Sequence, residues 1–137
     1  MSEEELQKYA VMLQQQQQQA EYLQQNITQI QLTIQELDDA IKTLETLDGN
    51  GKEQEILVPI GVGTFLFSEV KNTNRIMVGI GSGVSVERDR ETSIKTLSTR
   101  KEELDDVLKK AVETYNNIIA QMEQLQSKVQ SMMPQQS

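Results

Sequence analysis

Along this chain the hydrophobic positions advance by three and four residues in turn, twice, on either side of a middle stretch that obeys another rule. The first run is Leu6, Tyr9, Leu13, Ala20, Leu23, Ile27, Ile30, Ile34, Leu37, Ile41 and Leu44, broken at Gln16. The second is Ile94, Leu97, Leu104, Leu108, Ala111, Tyr115, Ile118, Met122, Leu125, Val129 and Met132, broken at Lys101. A repeat of 3.5 residues held this long marks a coiled-coil seam, not a helix lying on a globular core. It predicts one helix over 5–47 and a second over 91–132.

Between them the period changes to two. Ile56, Val58 and Ile60 alternate, then Phe65 and Phe67, then Ile76, Val78 and Ile80, then Val84 and Val86. Four short strands fit, with Gly61-Val62-Gly63 turning one hairpin, Gly81-Ser82-Gly83 the other, and residues 71–75 linking them across 53–88. Pro59 has no amide hydrogen to give to a ladder and pushes its strand toward an edge. Asp48-Gly49-Asn50-Gly51 supplies a helix stop, and Asp89 or Thr92 can cap the start of the second helix. The fold class that follows is α+β, mostly α. A long antiparallel two-helix coiled coil is joined by two central β-hairpins, all within one unit over 1–137.

Folding the second helix back on the first pairs positions whose numbers sum to 138, so every layer mates an a with a d. Leu44 then meets Ile94, Leu37 meets Lys101, Gln16 meets Met122 and Leu6 meets Met132. A slip of one heptad preserves the same logic. Forty residues at 1.5 Å rise make each arm roughly 60 Å long. Isolated two-stranded hairpins are marginal in water, so the middle is expected to oligomerise, its free strand edges closing into a shared β-barrel body.

Composition narrows the function. Of 137 residues 36% are hydrophobic and 4% aromatic, thin for a compact globule, so the core is elongated or shared. A net charge of −8 disfavours both duplex nucleic acid and anionic membranes as partners. The polar, acidic start and the lack of a long apolar run give neither a secretory signal nor a membrane span, and a chain without cysteine suits a reducing, cytoplasmic setting. With no His and no Cys, the usual general base, thiolate nucleophile and commonest metal ligands are missing. The glycines at 61, 63, 79, 81 and 83 do not spell a phosphate-binding loop. No enzyme, cofactor or metal site is expected.

The surface near the chain ends is different. Ala10, Val11, Met12, Val112, Ile119 and Met133 are apolar yet lie off the seam, and Gln16 weakens the core beside them. Apolar area at the free end of an arm is a candidate binding site for other apolar chains. The run Gln14 to Gln19 reads as a polar helical stretch. A structural alternative is an oligomeric coiled-coil adaptor whose arm tips grip one folded partner.

Two central segments carry a family resemblance. Residues 55–67, Glu-Ile-Leu-Val-Pro-Ile-Gly-Val-Gly-Thr-Phe-Leu-Phe, and 77–87, Met-Val-Gly-Ile-Gly-Ser-Gly-Val-Ser-Val-Glu, set between two heptad runs, resemble the alpha class of the prefoldin family. The resemblance implies a hetero-hexamer of two alpha-class and four beta-class subunits, in which the hairpins build a double β-barrel body and six coiled-coil arms hang from it. It implies an ATP-independent chaperone that captures unfolded or nascent client proteins at the arm tips and passes them to a group II chaperonin. Carried onto this sequence, the client surface is Leu6, Tyr9, Leu13, Met122, Leu125, Val129, Met132 and Met133, with Ala10 and Met12 beside them. Assembly rests on Ile56, Val58, Ile60, Phe65, Phe67, Ile76, Val78, Ile80 and Val84.

Overall fold

In the computed structural model, which describes residues 2–47 and 53–132, the elements follow the order helix, two hairpins, helix. They are α1 (Glu3–Thr46), β1 (Gln54–Gly61), β2 (Thr64–Val70), β3 (Ile76–Gly81), β4 (Val84–Arg88) and α2 (Arg90–Met132). The helices begin one or two residues earlier than the heptads alone require, because each start has a cap. Ser2 Oγ accepts from the Glu5 amide at 3.3 Å, and Glu3, Glu4 and Glu5 sit where the helix dipole favours negative charge. Asp89 Oδ1 accepts from the Thr92 amide at 2.7 Å, so Asp89 rather than Thr92 caps α2. That bond holds the Asp89 carboxyl below its ordinary pKa. The expected stop at Asp48-Gly49-Asn50-Gly51 lies outside the described residues.

Two compact units divide the chain: Gln35–Glu103, and the stretches up to Ile34 and from Leu104 onward. In the second of these every seam position from Leu6 to Ile34 and from Leu104 to Met132 is at least half-buried, and Ala20 is buried. Gln16 Nε2 donates to Gln121 Oε1 at 3.0 Å, and Lys128 Nζ stands 5.4 Å from the centre of the Tyr9 ring. In the Gln35–Glu103 unit, Lys101 Nζ donates to Asp38 Oδ1 at 2.9 Å. These pairs have residue numbers summing to 137, 137 and 139, whereas a heptad slip changes the sum by seven. The register is therefore the one that sums to 138.

Lys101 interrupts the apolar seam without leaving a charge unpaired. Asp38, one position past Leu37 in the seam, meets Lys101 across the helix pair and Lys42 one turn along its own helix at 2.9 Å. The hydrogen bond from Lys101 and then that from Lys42 lower the Asp38 pKa against a weaker opposing effect of burial. An ionic layer of this kind contributes register more than stability, because it pairs Lys101 with Asp38 in this alignment.

The core of this unit lies where α1, α2 and the second hairpin converge. Leu37, Ile41, Leu44 and Val78 are buried, and Ala40, Leu44, Val78 and Leu97 line a common groove. Arg90, the first residue of α2, donates through Nε to the Leu44 carbonyl at 2.7 Å and through Nη2 to the Glu45 carbonyl at 3.1 Å. It thereby caps the C-terminal end of α1, which has no basic residue of its own in the last turn. Asn74 Oδ1 accepts from the Arg90 amide at 3.0 Å, and Arg100 donates to the Gly79 carbonyl at 3.0 Å. Fully buried Ser93 donates its hydroxyl to the Asp89 carbonyl at 2.6 Å.

The hairpins are two separate two-stranded sheets, β1-β2 and β3-β4. Both turn at the expected glycine triplets and in the same conformation. The central residues Val62 and Gly63 have φ of 49° and 70°, and Ser82 and Gly83 have φ of 53° and 75°, as a type I′ turn demands. Val62 is the unusual member, a β-branched residue held in left-handed space with its side chain fully exposed.

Two outcomes follow. Asp38→Asn removes a carboxyl whose native pKa is depressed, and such a group stabilises the fold above its unfolded pKa and loses that contribution as pH falls through the native one. Thermal melting of Asp38→Asn should accordingly lose less stability than the parent on acidification below about pH 4. Val62→Asn should stabilise the first hairpin by about 1 kcal/mol, seen as slower amide exchange in β1 and β2.

Candidate functional site

Cross-strand partners share a face, so the β1-β2 register sorts the apolar residues of the first hairpin into two sets. Leu57 opposes Phe67 and Pro59 opposes Phe65 on one face; Ile56 opposes Ser68 and Val58 opposes Leu66 on the other. Both faces are apolar, and both are open: Phe67 is 77% exposed, and Leu57, Leu66, Phe65 and Val58 are exposed with it. Ile60 sits at a break in the register between Pro59 and Gly61, and Ile80 at the matching break between Gly79 and Gly81. A strand pair with two oily faces needs cover on both sides.

The second hairpin is built differently. Val78 opposes Val86 on a face that also carries Ile76, and Val78 is only 4% exposed because Leu44 and Leu97 of the same subunit lie against it. The other face carries Met77, Gly79, Ser85 and Glu87. Arg75 Nε donates to Glu87 Oε1 beside it. Of the residues expected to serve assembly, Ile60, Phe65, Phe67, Ile80, Val58 and Val84 are exposed, Ile56 and Ile76 are half-buried, and Val78 is packed within its own subunit. Alternation along single strands missed Leu57, Leu66 and Met77. The unbroken apolar runs 56–60, 65–67 and 76–78 are the signal that points to them.

At the chain-terminal end of the helices, the expected binding residues fall into two groups. Leu6, Tyr9, Leu13, Met122, Leu125, Val129 and Met132 occupy the seam and are half-buried there. Ala10 and Met12 are exposed off it, and Val11, beside them, is 50% exposed. Met133 lies outside the described residues. Met12 and Gln16 of α1, with Gln121, Leu125 and Lys128 of α2, line an open groove along the helix pair. Gln16 is its weak layer. Its Nε2 is satisfied by Gln121, while its Oε1 is enclosed with no partner among the described residues. An enclosed carbonyl without a donor disfavours the closed state of its layer by about 1–3 kcal/mol. Beside it stands Met12, a flexible side chain suited to an adaptable surface.

Among the described residues no group of three His, Cys, Asp or Glu is placed to hold a metal ion, and no helix is long and apolar enough to cross a membrane. The resolved carboxylate shifts, at Asp38 and Asp89, are explained by an ion pair and a helix cap.

Comparison with known proteins agrees with this arrangement. The family model described as prefoldin subunit matches residues 16–135. The chain is 34% identical to a prefoldin subunit alpha of Methanosarcina barkeri over 129 residues, covering 92% of this chain and 90% of that one. It is 40% identical to a prefoldin subunit alpha of Pyrococcus horikoshii over 107 residues, covering 77% and 72%. Among solved structures it is similar to filamentous PFD from Methanocaldococcus jannaschii, with a TM-score of 0.68, 22% identity, and coverage of 86% of this chain and 98% of that one. At that identity the likeness is one of fold.

Replacing Gln16 by Leu removes the unpartnered carbonyl and fills the seam. The helix pair around residues 9–20 and 118–129 should gain about 1–2 kcal/mol of protection against amide exchange.

Proposed function

The chain belongs to the prefoldin family, a family of coiled-coil chaperone subunits, and on that premise we propose that it is the alpha-class subunit of an ATP-independent holdase. One observation carries the reading: apolar side chains stand exposed off the seam at Ala10, Val11 and Met12, beside a seam layer that Gln16 leaves short of a hydrogen bond. Unfolded chains present short apolar segments in no fixed sequence. A surface of small, adaptable patches next to an easily opened seam binds such segments weakly and without selecting among them. Binding of this strength becomes useful when several arms act on one client, because the second contact is then intramolecular. Release needs no nucleotide when each contact is weak.

The first hairpin supports the assembly half of the proposal. Its two exposed apolar faces need partner strands or side chains on both sides, and Val62 keeps a strained, fully exposed valine at the turn between them. Partners of the beta class would supply that cover, in a complex of two alpha-class and four beta-class subunits whose hairpins close into barrels. Handover to a group II chaperonin completes the proposed cycle.

The assembled protein should suppress aggregation of several unrelated denatured proteins without ATP, and a chain lacking residues 1–13 and 122–137 should lose that suppression while native mass measurement finds the assembly unchanged. Protection of one folded partner alone would favour an adaptor, and capture that survives the truncation would remove the helix ends from the site.

A further inference from the structure

From Tyr9 to Gln35, helix α1 carries one charged residue, Glu21, in a chain whose net charge is −8. Within that stretch a second stripe repeats every three and four residues on a face away from the seam. It begins at Val11, ends at Leu32 and has Tyr22 at its midpoint, with glutamine at each of the four positions between. Val11, Tyr22 and Leu32 are 50%, 67% and 55% exposed, and the intervening glutamines are exposed as well. The stripe reads almost the same in either direction. The next positions of the same repeat are Lys8 before it and Glu36 after it.

We propose that this stripe is a self-association surface, on which a second copy of the chain docks its own α1 in the antiparallel sense about a two-fold axis at Tyr22. In that arrangement Val11 meets Leu32, Gln15 meets Gln29, Gln18 meets Gln25 and Tyr22 meets Tyr22. Each pairing is reciprocal, as an isologous contact requires, and along the stripe each also matches kind with kind. Glutamine both donates and accepts, so facing amides can pair, as the Gln16 amide does in donating to Gln121 within one subunit. Lys8 of one copy faces Glu36 of the other, an opposite-charge pair at each end. A parallel contact would instead set Lys8 against Lys8 and Glu36 against Glu36. Two copies of an acidic chain repel across most of their surface, and the neutral stripe is where they approach at least electrostatic cost.

Seven side chains per copy fall well short of the roughly 20–30 residues a side of a stable interface, so the contact is weak and reversible. Glu21, next to the axis, is brought toward its own copy and weakens the contact further. The stripe uses no hairpin residue and shares Val11 alone with the proposed client surface.

Because the native chain has no cysteine, single cysteines report the contact directly in the full-length protein. Under mild oxidation Tyr22→Cys should form disulfide-linked dimers, and a mixture of Val11→Cys with Leu32→Cys should form the mixed dimer. Each should exceed by about tenfold the yield from Gln24→Cys on a different face of the helix. Adding Glu21→Gln to Tyr22→Cys should raise the yield again, and Gln18→Glu should lower it. Self-crosslinking of Val11→Cys without its Leu32→Cys partner would overturn the antiparallel arrangement. Yields equal to those from Gln24→Cys, or Tyr22→Cys linking only to a denatured client carrying its own cysteine, would overturn self-association. Native mass measurement on the same samples reads hairpin-driven assembly separately, so failure of one proposal does not mask failure of the other.

Discussion

Everything in this structure depends on the pairing of two apolar stripes that neither helix can satisfy alone. Each stripe has a period of 3.5 residues, and the hydrophobic free energy of burying it is available only against a second stripe of the same period. A helix of about forty residues that is polar over most of its circumference gains little from propensity and much from that one line of contact. The hairpins, the caps and the ionic layer are arrangements that let the line close in a single register.

That register is fixed at more than one point. In the Gln35–Glu103 unit, Lys101 must find Asp38, and Arg90 must find the carbonyls of Leu44 and Glu45. In the other unit, Gln16 must find Gln121. Each is a polar group placed at or beside an apolar contact, and each finds a cross-helix partner in this alignment. A displaced alignment would separate Gln16 from Gln121 and Lys101 from Asp38. Polar residues in the seam thus specify the fold where they cost it stability, and the Gln16 layer goes further, leaving one enclosed oxygen short of a donor beside the exposed apolar residues at the chain ends.

The two hairpins look alike in sequence and serve different ends. Both use a glycine-flanked type I′ turn and a register break just before it. Yet β3 turns Val78 onto its own helices and is held there by Arg100, whereas β1 and β2 keep phenylalanine, leucine and valine exposed on both faces. One hairpin thereby packs Val78 into the subunit's core, and the other leaves both of its apolar faces open.

Much of this was legible from the chain alone, because periodicity is a local property. The helices and the hairpin turns follow from spacing within a few residues, and so does the placing of the α2 cap at Asp89 or Thr92, between which the structure chose Asp89. The choice between heptad registers did not follow, since a slip of seven leaves the pattern intact; it took Asp38 against Lys101 and Gln16 against Gln121 to decide it. The burial of Val78, the exposure of Leu57 and Leu66 opposite their neighbours, and the capping of α1 by a residue 46 positions past Leu44 belong to the same class. Each depends on which distant backbone lies alongside, and alternation along one strand or one helix carries no record of what stands across from it. Sequence determined the faces; only tertiary structure decided which of them were already covered.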